Sequence, residues 1–196
     1  MKSFKQHLQE KNVQTLYHVT NLWSCASLLK EGMTPASSNI VRHDFVGIDD
    51  KVVARALGMQ NNEYIAYAKK IGLTGYISFA RHPNNAFTKH MFHNEDIVAI
   101  LRFDARKLSR YGKIISVDYS AVDGDTVDRR SEQEERMICT TETINVLPAI
   151  TDISLVSNSE YEKIVGSYPN DIKAKYPGTR LFPGKDGFKN YLRSRP

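Results

Sequence analysis

Two cysteines, one tryptophan and no apolar run approaching the ~20 residues that span a bilayer set the first limits on this 196-residue chain. Cys25 and Cys139 each sit in an apolar segment, so free buried thiols are expected rather than a disulfide framework. The 11 glycines are scattered, with no G-x-G-x-x-G or Walker-type run, and a nucleotide would have to bind without either phosphate loop. His82, His90 and His93 cluster in "RHPNNAFTKHMFH" without paired cysteines or carboxylates at metal-ligand spacing, so no metal is expected. The opening "MKSFKQHLQEKNVQ" has neither the apolar stretch nor the small-residue cleavage site of a secretory signal. A cytoplasmic protein with no membrane association is the expectation.

What is present is ordinary for a globular protein: 41% hydrophobic and 25% charged residues, values that favour neither disorder nor a membrane class. The length suits one domain over residues 1–196, with 157–196 a basic, Tyr-rich C-terminal extension. A formal charge of +5 and a pI near 9.1 favour polyanionic partners.

Residues 1–14 read as a polar helical lead-in and "QTLYHVT" as a short strand. A helix follows, capped by Thr20 or Asn21, with Leu22, Cys25, Ala26 and Leu29 on one face and a stop at Gly32 and Pro35. Ala36 to Asp50 reads as loop; Asp49 to Gly72 reads as mainly helical with a break at Gly58 to Asn62. After Gly75 the vocabulary turns β-prone: "YISFA", then a turn at "RHPNNAF", then "DIVAILRFD", "GKIISVDYS" and "ERMICTTETINVLPAITDISLVS" as strands. The tail predicts one helix near its start. Helices first and antiparallel strands later argue for α+β.

Three short features sit at strand edges: Tyr17 and His18, "YISFAR" from Tyr76 to Arg81, and "SEQEERMI" from Ser131 to Ile138. Singly, each has an ordinary explanation, as a hydrogen-bonding histidine, a self-satisfied serine or a solvated acidic rim. In the order His, Ser, Glu they resemble the ADP-ribosyltransferase fold family, and "LYHVTNLWSCASLLKEGM" is similar to the opening of DarT-like enzymes, which modify nucleic acid.

That resemblance implies split antiparallel β-sheets with an N-terminal helical portion, NAD as co-substrate, and transfer of ADP-ribose by an enzyme of toxin-like or phage-defence-like character. It implies Glu135 as the catalytic carboxylate, supported by Ser78 and Gln133, with Glu132 and Glu134 as rival registers. It implies NAD contacts from Tyr17, His18, Thr20, Tyr76 and Ser78, with Ser78 bracing the glutamate and Tyr76 packing on the nicotinamide face. Arg81 and Arg42 are cations that a pyrophosphate would attract, while Arg129 and Arg130 lie where an acceptor is selected. Expected partners are NAD, a nucleic-acid acceptor (RNA or DNA), and an antitoxin or inhibitor protein. Competing readings are a protein acceptor, an NAD-dependent RNA 2′-phosphotransferase, and a basic nucleic-acid-binding module without catalysis.

Overall fold

Strand β1 (Thr15–Asn21) runs straight into helix α1 (Leu22–Glu31) in the computed structural model, which describes residues 15–38, 40, 46–118, 133–160 and 162–194. Asn21 makes the switch: its backbone is extended while its side-chain oxygen accepts from the Ser24 amide at 2.7 Å, satisfying an orphan donor of the first turn. Gly32 ends the helix at φ 97°, and a Cβ there would lie 2.7 Å from the Ile144 carbonyl oxygen. Next come β2 (Ala36–Ser37), α2 (Ile48–Ala56), α3 (Asn61–Ile71), β3 (Gly75–Ala80), α4 (Ala86–Asn94) and β4 (Ile97–Asp104). The chain continues through α5 (Ala105–Leu108), β5 (Lys113–Asp118), β6 (Gln133–Cys139), β7 (Ile150–Ser157), α6 (Tyr168–Lys175), β8 (Arg180–Phe182) and α7 (Gly187–Arg193). No helix among the described residues is long and apolar enough to cross a membrane.

The fold is α+β. Its strands form one eight-stranded sheet in the order β5-β6-β3-β1-β4-β7-β8, with β2 paired to β3. Every pairing is antiparallel, as expected, except β7 with β8. The sheet is nearly split all the same. β1 and β3 meet at a single register pair, Tyr17 with Ala80, whereas β1 and β4 pair along seven residues.

Both faces are covered. On one face Leu16, Ile77, Phe79, Leu101, Phe103, Met137 and Ile153 form a continuous core with Cys25, Leu28 and Leu29 of α1. On the other face there are two separate clusters. Tyr76, Ile115, Val117 and Ile138 pack under α2 and α3, while Tyr17, Val19, Ile100 and Val156 pack under Tyr191 of α7, with Met91 and Phe92 of α4 against them. Both cysteines are buried free thiols, and burial pushes each up to about 12.

Three sequence-based expectations need correction here. Ala36 to Asp50 is not all loop: it holds β2 and the start of α2, and Asp50 organises it by accepting from Ser38 Oγ at 2.7 Å and the Gly47 amide at 3.1 Å. The "RHPNNAF" turn leads into a helix, because Asn85 is an N-cap accepting from the Thr88 amide at 2.8 Å. The tail holds a strand and a second helix beyond the expected one, and Gly187 permits α7 to lie against the strands, a Cβ there falling 2.1 Å from the Phe182 carbonyl oxygen. The N-terminal lead-in of residues 1–14 lies outside the described residues.

Asp50 is fully buried and also accepts from the Tyr76 hydroxyl, which in turn lies 2.7 Å from the Tyr64 hydroxyl. Burial pushes both phenols far above their ordinary range, so they remain donors. Asp50→Ala would strand three buried donors, from Ser38, Gly47 and Tyr76. It is expected to lower stability by about 3–5 kcal/mol in urea denaturation, with Asp50→Asn losing less. Equal stability of Asp50→Ala and wild type would show that this network does not hold α2 to the sheet.

Candidate active site

Pairing register decides which side chains meet, since neighbours on a strand point to opposite faces. Glu135 stands opposite Phe79 on β3 and opposite Ser116 on β5. His18 on β1 stands opposite Leu101, and its ring lies 6.1 Å from the ring of Phe79 at an interplanar angle of 63°. Ser116, Glu135, Phe79 and His18 therefore form a row across four strands, on the face that carries the continuous core. Thr20, two residues along β1, is on that face too.

Glu135 is 1% exposed. Its Oε1 accepts from Arg81 Nε at 2.6 Å and from Ser116 Oγ at 2.7 Å, and Arg81 Nη2 also donates to Ser116 Oγ. Arg81 follows β3 directly and is itself only 14% exposed in its side chain, so the pair is shielded from water and supplies the counter-charge that a buried carboxylate needs. Glu134, one residue earlier, pairs with Ala80 and Val117 on the opposite face and accepts from Arg136 Nε at 2.9 Å.

His18 donates Nδ1–H to the Ser78 carbonyl oxygen at 3.1 Å. In the neutral ring this leaves Nε2 as an acceptor. Desolvation lowers the imidazole below its usual value, and the Ser78 carbonyl offsets part of that shift. Because the folded state resists protonation, acid uptake by the unfolded chain below its ordinary pKa of about 6.5 should drain stability as pH falls. Wild type is expected to lose more stability between pH 8 and pH 5 than His18→Gln, read as the shift in urea midpoint. Parallel pH curves for the two proteins would contradict the partly buried, neutral ring.

Several side chains expected here are elsewhere. Tyr17 and Tyr76 point to the face opposite Glu135, Tyr17 into the cluster under α7 and Tyr76 onto Asp50. Tyr76 therefore cannot pack on a nicotinamide at Glu135. Ser78 stands opposite Arg136, is exposed, and reaches His18 only through its backbone. It does not brace Glu135, because one residue of register separates it from the correct face. The serine that does so is Ser116, whose only mark in the sequence is a hydroxyl inside the apolar run "KIISV". Arg81 holds the carboxylate in this structure instead of standing ready for a pyrophosphate. Arg42, Arg129, Arg130, Glu132 and the side chain of Gln133 lie outside the described residues.

Trp23 follows β1 at the start of α1. It lies in the first turn of α1, five residues after His18, and is 61% exposed. Among the described residues no group of three His, Cys, Asp or Glu side chains is placed to hold a metal.

No protein-family model matches the chain. No curated protein matches it by sequence. Among solved structures it is similar to Thermosipho africanus DarTG in complex with ADP-ribose, at 12% identity and a TM-score of 0.46 over 89% of this chain. That match covers 51% of the DarTG chain, so this chain spans about half its length. It is also similar to Thermus sp. 2.9 DarT in complex with ADP-ribosylated ssDNA, at 11% identity and a TM-score of 0.45, over 90% of this chain and 96% of that one.

Proposed function

We propose that this chain transfers ADP-ribose from NAD to a nucleic-acid acceptor. The observation that carries the reading is the Glu135 carboxylate, buried, held at one oxygen by Arg81 and Ser116, and set in one cross-strand row with His18. The donor set suits a nicotinamide ribose. It offers a fixed negative charge, an imidazole nitrogen that accepts from a hydroxyl, and, just beyond β1, the N-terminal turn of α1, whose dipole favours an anion.

NAD, when bound, supplies a glycosidic C–N bond whose cleavage builds positive charge on the ribose. Glu135 stabilises that charge at short range, in surroundings where water screens it little. Arg81 and Ser116 orient the carboxylate, so no reorganisation is needed as charge develops. His18 accepts a ribose hydroxyl at Nε2 while the Ser78 carbonyl holds its ring in that tautomer. Arg129 and Arg130, with the excess of basic residues behind the +5 charge, attract the acceptor's phosphates.

The test is nicotinamide release by the purified protein supplied with NAD and, separately, RNA, single-stranded DNA and protein pools. Release with label appearing on a nucleic-acid pool is the expected result. Label on protein alone would overturn the acceptor, and no release with any pool would overturn the chemistry. NAD binding is read independently by the fluorescence of Trp23, the chain's sole tryptophan.

A further inference from the structure

At the end of the sheet where β1 begins, a cavity of about 290 Å³ is lined by Thr15, Arg102, Phe103, Asp104, Arg106 and Thr151. We propose that it binds a phosphate group, a backbone phosphodiester of the acceptor strand. The phosphate chemistry stands on the cavity; that the phosphate belongs to an acceptor rests on the transfer reading above.

Arg102 carries the argument. It stands opposite Tyr17 on β1 and Asp152 on β7, so Asp152 is the carboxylate best placed to pair with it. Asp152 is already taken: Arg180 donates to its two oxygens at 3.0 and 2.6 Å, and Ser154 Oγ donates to Oδ2 at 3.0 Å. Arg102 Nε is buried and has no hydrogen-bond partner among the described residues. A buried guanidinium N–H without a protein partner costs stability, and an anion in the cavity would complete it.

The rest of the lining fits an anion. Arg106 adds a second cation, and the carboxylate of Asp104 is turned to the amides of Arg106 and Lys107 at 2.8 and 3.1 Å, which blunts its charge toward the cavity. The Thr151 hydroxyl donates to the Arg102 carbonyl oxygen at 3.2 Å, holding the cavity's wall to the strand. The β4–β7 ladder shifts register between Arg102 and Phe103, an irregularity of the kind that re-aims a strand side chain. Arg102 stands in one cross-strand row with Tyr17 and Ala80, on the face opposite Glu135, so the cavity is a binding site separate from the carboxylate.

The test measures binding without turnover, by anisotropy of a labelled single-stranded oligodeoxynucleotide over a salt series, with NAD affinity from Trp23 fluorescence as a separate arm. Arg102→Met and Arg106→Ala are each expected to weaken oligonucleotide binding about tenfold. Together they should flatten the log–log salt slope by ~0.7, the share of one phosphate no longer neutralised. Inorganic phosphate should compete with the oligonucleotide on wild type and not on the double variant, NAD affinity should hold, and Arg102→Met should melt no lower than wild type. An Arg102→Met that melts well below wild type, with Arg106→Ala binding normally, would make Arg102 structural and overturn the proposal. So would unchanged oligonucleotide affinity in a folded double variant, or loss of NAD affinity alone. An oligonucleotide effect without nicotinamide release would leave this site standing and remove only the transfer chemistry.

Discussion

Glu135→Gln is expected to slow nicotinamide release from NAD by about two to three orders of magnitude, with a much smaller change in NAD affinity. The substitution keeps the shape and an oxygen that still accepts from Arg81 and Ser116, and it removes the charge that opposes the developing cation. Glu134→Gln should stay within a few-fold of wild type, because Glu134 lies on the other face and bonds Arg136. The pair of variants reads the strand's register through activity. Loss in Glu134→Gln with Glu135→Gln intact would place the reaction on the opposite face. Breaking a buried ion pair destabilises on its own, so melting must accompany the rates, and Arg81 should tolerate the amide better than it tolerates Glu135→Ala.

Phe79→Ala is expected to lower stability by about 3–5 kcal/mol. The ring is 2% exposed, packs edge-on against Phe103 at 5.4 Å and 75°, and underlies the gap between His18 and Glu135. Phe79→Leu keeps most of the volume and should lose less than ~1.5 kcal/mol. As a folded variant it separates packing from function: with the imidazole less firmly backed, its KM for NAD should rise more than its kcat falls. A Phe79→Ala protein within about 1 kcal/mol of wild type would mean that the neighbouring core closes over the gap and that Phe79 is no pedestal.

The sequence signals that succeed and fail here differ in kind. β1 and α1 are legible because a cap, a helical apolar face and a stop glycine agree within a few residues. Glu135 and Ser78 are visible as residue types, but their faces are not. Ile77 and Phe79 face one core and Tyr76 the other, just as Met137 and Ile138 do, so apolar residues run continuously and alternation carries no parity signal. Ser116 is illegible for a related reason: it meets Glu135 only through the β5–β6 register, 19 positions away in the chain. α4 is hidden because an N-cap asparagine and a turn asparagine look alike. The tail reads as an extension on composition, yet β8 adds to the sheet edge and Tyr191 is 1% exposed beneath it.

The single pair between Tyr17 and Ala80 bears on how the site responds to load. Ladders of six or seven residue pairs stiffen each half of the sheet internally, and among the described residues only that pair joins them as ladder. His18 belongs to one half; Phe79, Arg81, Ser116 and Glu135 belong to the other. Across the joint the imidazole meets the other half through its ring contact with Phe79 and its hydrogen bond to the Ser78 carbonyl, while the Phe79–Phe103 contact and the shared core tie the two halves together beneath it. Among the described residues a change in the spacing between imidazole and carboxylate would break one register pair of the sheet, but it would also have to shear the core that both halves share.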